Sequence, residues 1–447
     1  MPPLPQDFLF GVATASYQIE GAVAADGRGR SIWDDFCDRP GAIADGSSGA
    51  VACDSYHRTG EDVDLIAGLG VDAYRFSIAW PRIVPEGTGA VNQAGLDYYD
   101  ALVDALCAKG IKPCATLFHW DLPAPLEAEG GWLRRETAQA FVDYTAVVAG
   151  RLADRVEMWM PVNEPNVHAT LGYATGIHAP GRALGLYALP ATHHILLAHG
   201  LAVMELRTLG AKSVGTASNH LPIWAASDSE EDRAAAGLAD ALSNRLYVEP
   251  MLLGSYPETF AELMPGPVAQ DLELISAPLD FYGFNYYNPL MAGAPVVNGE
   301  PEVADAPFEF RGIEGYPVTD FGWPVVPAAL TEMILQLHQR YGESLPPLYI
   351  TENGCAYGTR PGPDGTVDDQ DRIRYYDQHL AAVADARAAG ADVRGYFAWS
   401  LLDNFEWAEG YTKRFGLVDV DFETLTRTPK ASYGWYADYI ARTRAGG

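Results

Sequence analysis

Basic residues are scarce in this chain: 30 lysines and arginines stand against 59 aspartates and glutamates, a formal charge of -29 over 447 residues. Nucleic acid is held by clustered cations, so this balance argues against a nucleic-acid partner and against an anionic membrane surface. The surplus of acid reads as a solubilising surface. Cysteine is sparse too. Cys37, Cys53, Cys107, Cys114 and Cys355 form no CxxC pair, and an odd, scattered set fits neither a disulfide framework nor a zinc site. Cys107 and Cys114 are expected in the core as small apolar residues. No apolar run approaches membrane-spanning length, and no basic residue precedes Arg28. The opening MPPLPQDFLFGVATAS therefore lacks the charged start of a secretory signal, and a reduced, cytoplasmic setting is expected.

What the chain does have is rhythm. Short apolar runs at residues 8–14, 73–79, 112–118, 156–162, 214–219, 280–286, 348–351 and 395–400 alternate with amphipathic stretches. Eight such runs without hairpin signals between them read as βα units. The fold class expected is α/β: a single (β/α)8 TIM barrel over residues 1–447, with long strand-to-helix loops forming a pocket. Asn92 is placed to cap a helix carrying Leu96, Tyr99, Leu102 and Leu106 at helical spacing, and Gly110 to end it. Ile373, Tyr376, Leu380 and Val383 repeat the pattern after Asp368-Asp369 and before Gly390. The Pro/Gly-rich residues 289–324 form the longest irregular stretch. Because they follow a strand and carry Phe308, Phe310, Tyr316 and Trp323, they are expected on the pocket face.

In such a barrel, polar residues just past the strand ends converge on one site. Here they are Gln18, Arg75, His119-Trp120, Asn163-Glu164, Asn285 with Tyr287, Glu352-Asn353, and Trp399 with Glu406-Trp407. Amides and carboxylates bind hydroxyls in pairs, and aromatic faces cover the apolar side of a pyranose, so the set suits a sugar. Two facing carboxyls can also cleave a glycosidic bond, with retention or inversion according to their separation. Glu164 and Glu352 end the fourth and seventh runs, on opposite sides of the barrel mouth.

With those residues in view, the sequence resembles the family 1 glycoside hydrolases, the β-glucosidase family. FLFGVATASYQIEGA resembles its N-terminal signature, PVNEP at 161–165 its acid/base motif and YITENG at 349–354 its nucleophile motif. LFHWDLP, GFNYY, and WSLLDNFEW followed by GYTKRFGLVDVD resemble the remaining segments in order, so the likeness spans essentially the whole chain. The resemblance implies a retaining β-glycosidase without metal or cofactor, acting on small β-glucosides, with Glu164 as acid/base and Glu352 as nucleophile. It implies that Asn163 binds the sugar 2-hydroxyl, and that Gln18, His119, Trp120 and Glu406 bind other glycone hydroxyls. Asn285 joins the substrate-binding set. Trp399 would be the stacking floor, Trp407 and Phe415 would close the pocket near the hydroxymethyl arm, and Tyr287 and Arg75 would hold Glu352 ionised.

Three positions depart from the pattern: Pro161 stands where Thr is usual, Phe10 replaces a common Trp, and Asn166 replaces a Trp that often carries the leaving group. His168, His178 and His193-His194 show no metal-ligand spacing. Residues 68–73, GLGVDA, match a loose dinucleotide pattern but lie in a helix-to-strand turn, the wrong order for that motif. A non-catalytic sugar binder could dispense with either glutamate, and this chain keeps both. A transglycosylase, or a β-galactosidase or β-fucosidase, would use the same site.

Overall fold

The structure, a computed structural model, describes residues 4–297, 300–301 and 307–446. All eight apolar runs are strands: β1 (Leu9–Ala13), β2 (Ala73–Ser77), β3 (Lys112–Phe118), β4 (Met158–Val162), β5 (Gly215–Asn219), β6 (Phe281–Asn285), β7 (Leu348–Asn353) and β8 (Val393–Trp399). Their continuous apolar character follows from position, since each is buried on both faces, inside the barrel and beneath a helix. Every pairing is parallel, in the order β4-β3-β2-β1-β8-β7-β6-β5. Bridges Trp159–Val214 and Asn163–Ala217 join β4 to β5 and close the ring. The chain is therefore a (β/α)8 barrel.

The helix at Gln93–Ala108 stops as expected. Gly110, at φ 75°, lets its own N–H reach the Cys107 carbonyl and that of Ile111 reach Leu106, the paired bonds of a left-handed helix stop. Two expectations about this helix need correction. Asn92 stands at the N-cap position without capping; its amide donates instead to the carbonyls of Asp26 (2.8 Å) and Arg82 (2.9 Å) and so anchors the preceding loops. Cys107 is exposed while Cys114 is buried, because Cys107 falls at the edge of the apolar face in the last turn. The 68–73 pattern is a helix end: Ser55–Leu69 stops on left-handed Gly70 and β2 follows.

Residues 289–324 are less irregular than expected. Leu290–Gly293 pairs with Glu309–Arg311 and with Ile223–Ala225 in a small three-stranded sheet. Residues 298–299 and 302–306 of this stretch lie outside the described residues. Of its aromatics, Phe310 and Tyr316 face solvent, and Trp323 reaches the pocket.

The loop after β8 carries many of the expected site residues, and a buried charge cluster fixes it. Asp403 accepts from Lys430 (2.7 Å), Arg414 (3.0 Å) and the Gly416 N–H (2.8 Å). Burial works against its charge, but the cations of Lys430, Arg414 and Arg372 outweigh it and hold the carboxyl below its usual range. Without Lys430 the fully buried Asp403 carboxylate keeps a single cationic hydrogen-bond partner, Arg414. Lys430→Ala is therefore expected to cost about 3–5 kcal/mol, read as a lower denaturant midpoint with an unchanged slope.

Candidate active site

Strand register assembles the site. Asn219 on β5, Asn285 on β6 and Glu352 on β7 are neighbours across the sheet, since Asn219 pairs with Asn285 and Asn285 with Glu352. Between Ile350 and Glu352 the register shifts, so two residues of β7 face one of β6. Such a bulge re-aims a side chain, here Glu352. Gly354 must lack a side chain, because an added Cβ would lie 1.8 Å from the Trp399 carbonyl oxygen, which is backbone.

The two carboxyls are held in contrasting ways. Glu352 accepts from Arg75 Nη1 (2.5 Å) on one oxygen and from the Tyr287 hydroxyl (2.7 Å) on the other. Glu164 receives only amides, Asn285 Nδ2 at 2.9 Å and Asn219 Nδ2 at 3.0 Å, both on Oε1. Burial raises Glu164 to about 8, with the charge of Glu352 as the second cause. Glu406 is also raised to about 8, again by burial first and Glu352 second.

Arg75 orders the floor beyond Glu352. Its Nη2 donates to Asn163 Oδ1 (2.6 Å), which also accepts from Asn285 (3.1 Å), so the Asn163 amide nitrogen must face His119 Nε2 (3.0 Å). His119 Nε2 therefore accepts and its proton sits on Nδ1, which has no protein partner. Burial, then the Arg75 cation, push the imidazole far below its ordinary range, so it is neutral. Gln18 donates to Asn404, to the Phe405 carbonyl and to Glu406 (3.2 Å), leaving its Oε1 free. Buried polar atoms without partners are uncommon, and these two, with Asn219 Oδ1 in the same site, suit a polyhydroxylated ligand.

Above this floor opens a cavity of about 500 Å³. Among the expected residues, His119, Trp120, Glu164, Tyr287, Glu352, Trp399, Glu406, Trp407 and Phe415 line it. Gln18, Arg75, Asn163 and Asn285 lie just behind the wall and reach it through Glu406, Glu352, His119 and Glu164. Asn285, expected as a sugar ligand, has its amide nitrogen on Glu164 and Asn163 and its oxygen taken by Thr351, so its side chain holds the acid. Trp120, Glu164 and Trp407 all have positive φ (74°, 45° and 51°). Left-handed backbone at three bulky residues of one cavity is the kind of strain that clusters at functional sites. Trp407 packs among Trp33 (4.6 Å) and Trp120 (4.8 Å), which fixes the aromatic wall.

Sequence reasoning missed Asn219, although the fifth apolar run ends on it and the strand-end rule would have found it. It also missed Phe321, stacked at 4.3 Å on Trp323, which lies 5.5 Å from Tyr287; neither stands at a strand end. Asn166 does not line the cavity: its amide donates to the carbonyls of Asn219 (2.9 Å) and Ser243 (3.0 Å). His193 is engaged by Asp271 (2.9 Å) and Tyr256 (2.8 Å). Among the described residues, no cluster of three or more His, Cys, Asp and Glu is placed to hold a metal.

Similarity to known proteins bears on this geometry directly. A β-glucosidase of Agrobacterium sp. is 48% identical over 440 residues, covering 97% of this chain and 94% of its own. A bifunctional β-D-glucosidase/β-D-fucosidase of Bifidobacterium breve is 44% identical over 459 residues, covering 98% of each. The solved structure of a β-glucosidase from Thermotoga maritima in complex with glucoimidazole superposes with a TM-score of 0.94 at 42% identity, over 99% of this chain and 100% of the other. The family model described as Glycosyl hydrolase family 1 matches residues 2–445. With the barrel, the paired carboxyls and these likenesses in agreement, the chain belongs to glycosyl hydrolase family 1.

Proposed function

We propose that this chain is a retaining β-glucosidase that releases terminal non-reducing β-D-glucosyl residues from small glucosides and cello-oligosaccharides. The observation that carries the reading is the contrast between two buried carboxyls on one cavity floor. Glu352 accepts hydrogen bonds from a guanidinium and a phenol, while Glu164, held by amides and raised to about 8, keeps its proton at neutral pH. Glu352 attacks the anomeric carbon as Glu164 protonates the departing oxygen, leaving a glycosyl ester on Glu352. Esterification removes the charge of Glu352, one of the two leading causes that raise Glu164. Its pKa then falls, and the carboxylate takes a proton from the water that resolves the ester.

The remaining roles follow from placement. His119 Nδ1–H and Gln18 Oε1, both without protein partners, receive glycone hydroxyls together with Glu406, Trp120 and Asn163. Trp399 forms the stacking floor, and Trp407 and Phe415 close the far end. Arg75, Tyr287 and Asn285 position the two carboxyls. One catalytic domain spans residues 1–447 and works in the cytoplasm on a small-molecule substrate. Among the described residues, no helix is long and apolar enough to cross a membrane.

Stereochemistry tests the reading. Proton NMR of the first-formed glucose is expected to show the β-anomer, and a 2-deoxy-2-fluoro glucoside with a good leaving group is expected to label Glu352 stoichiometrically. An α-anomer, or a label on another residue, would remove the assignment. The pH profile follows from the raised pKa. The active form needs Glu164 protonated, so kcat/KM for an unactivated glucoside is expected to fall as pH rises through about 8. Because Glu406 titrates beside it, that limb belongs to the pair.

Glu406 also sets the charge of the glycone. Its carboxyl lines the cavity at the distal edge and, protonated or ionised, offers a phosphate no cation there. Lys413, the nearest candidate to bind one, donates to the Asp320 carbonyl (2.9 Å) and sits 5.2 Å from the Phe321 ring centre. A nitrophenyl β-glucoside is expected to exceed its 6-phosphate in kcat/KM, and the reverse order would sink this point. The Bifidobacterium breve relative's second named activity supports β-fucosides as further substrates. Glu406→Ser is then expected to weaken glucoside turnover more than fucoside turnover, since fucose lacks the 6-hydroxyl.

A further inference from the structure

The strands β3, β2, β1 and β8 stand side by side in the barrel, and their ends carry His119 with Trp120, Ser77, Gln18 and Glu406 in that order. One buried carboxyl ties the first three ends together. Asp121 directly follows Trp120, is fully buried and does not line the cavity. Its Oδ2 accepts from the Ser16 hydroxyl (2.9 Å), Ser16 Oγ accepts from the Ser77 hydroxyl (3.0 Å), and Ser77 Oγ accepts from the Ser16 N–H (2.7 Å). Ser16 opens the single helical turn Ser16–Ile19 that carries Gln18. The loop after β8 holds the other side of that turn. There the Gln18 carbonyl accepts from the Phe405 N–H (3.1 Å), and the Gln18 amide donates to Glu406 (3.2 Å). The β3 end of the chain is fixed as well: the Leu122 carbonyl accepts from the Ile32 N–H (2.9 Å), and Trp120 Nε1 donates to the Asn163 carbonyl (3.1 Å). Left-handed backbone such as that of Trp120 persists only where its surroundings over-determine it.

A carboxyl is costly at this place. Two cations line the same small void as Asp121, but Arg28 is paired with Asp34 (2.8 Å) and Arg82 with Glu20 (2.9 Å). Asp121 Oδ1 has no partner among the described residues. Burial is the leading cause that raises its pKa to about 7. A buried acid with one side-chain hydrogen bond opposes folding, and Glu164 and Glu352 already account for every proton and bond of the hydrolysis. What Asp121 contributes is therefore the hold on Ser16. Both of its forms provide it: the carboxylate accepts from the hydroxyl, and the acid donates to it.

We propose that Asp121 is a positioning residue of the glycone side: through Ser16 it sets the distance between Gln18 and the His119–Trp120 pair. The inference rests on the retaining β-glucosidase reading and adds to it a residue that touches no substrate. Asp121→Ala is expected to lower kcat/KM for a nitrophenyl β-glucoside about 10–100-fold, the scale on which a binding group displaced by an ångström costs rate. Asp121→Asn can still accept from Ser16 or donate to it, and is expected to recover most of that loss. Ser16→Ala breaks the same bond from its other end and is expected to reproduce it, whether or not the chain tolerates Asp121→Ala. Coupling separates positioning from general loosening, since penalties at independent sites multiply to within about two-fold. Because Asp121 acts through the turn that carries Gln18, the penalties of Asp121→Ala and Ser16→Ala are both expected to shrink by more than that in a Gln18→Ala background. A loss under about ten-fold in both alanine variants, Asp121→Asn no better than Asp121→Ala, or penalties unchanged in the Gln18→Ala background overturns the proposal. Failure of the unaltered protein to hydrolyse any β-glucoside would overturn the underlying reading instead.

Discussion

Glu352→Ala is expected to lose several orders of magnitude in turnover of every β-glucoside, and to recover part of it with azide as the α-glycosyl azide. The carboxylate sits between Arg75 and Tyr287, and its removal leaves a cationic, hydrogen-bond-donating space that a small anion fits. Azide then attacks the anomeric carbon directly from the face Glu352 occupied, and a single inversion gives the α product. A second consequence checks the electrostatics separately. The charge of Glu352 is the second cause raising Glu164, so its loss lowers the Glu164 pKa. The basic limb of the azide-rescued reaction is therefore expected below the wild-type position near 8. A β-azide product would remove Glu352 from the nucleophilic role; a limb displaced upward would show that its charge does not act on Glu164.

The fold was legible because barrel strands are buried on both faces and announce themselves as continuous apolar runs. All eight stood out, though β4 starts two residues later than its run and β8 two residues earlier. Most of the site was legible for a related reason: strand ends point at the mouth, so reading the polar residues there found Glu164, Glu352, His119 and Asn285 without geometry. The less legible parts depend on tertiary choices. A side chain's rotamer decided that Asn92 ties loops and does not cap, and that the Asn166 amide binds two carbonyls off the cavity wall. Phe321 reaches the cavity from a long loop, at no fixed offset from any strand, and periodicity carries no signal for that. Cys107 sits at the edge of a helical face, where spacing alone does not separate buried from exposed. The bulge that aims Glu352 is invisible in YITENG, because it arises from pairing with β6.

Glu164→Ala is expected to discriminate between substrates by their leaving groups. An alkanol leaves only if protonated, so cellobiose and alkyl glucosides are expected to lose about 10²–10⁴-fold in kcat/KM, the usual worth of a positioned general acid. A dinitrophenolate leaves without help, and formation of its ester on Glu352 is expected to survive nearly intact. Hydrolysis of that ester still lacks its base, so the intermediate accumulates and turnover slows. Azide needs no base; attacking the accumulated ester, it is expected to restore turnover and give the β-glycosyl azide, opposite in configuration to the Glu352→Ala product. The alanine also strands two buried amides, Asn219 and Asn285, that met on Oε1. Glu164→Gln keeps an oxygen for them while removing the acid proton, which separates packing from chemistry. Both variants are expected to show the same split between cellobiose and the dinitrophenyl substrate. Equal losses on the two substrates, or a loss in Glu164→Ala that Glu164→Gln does not share, would place the role of Glu164 in structure and not in proton transfer.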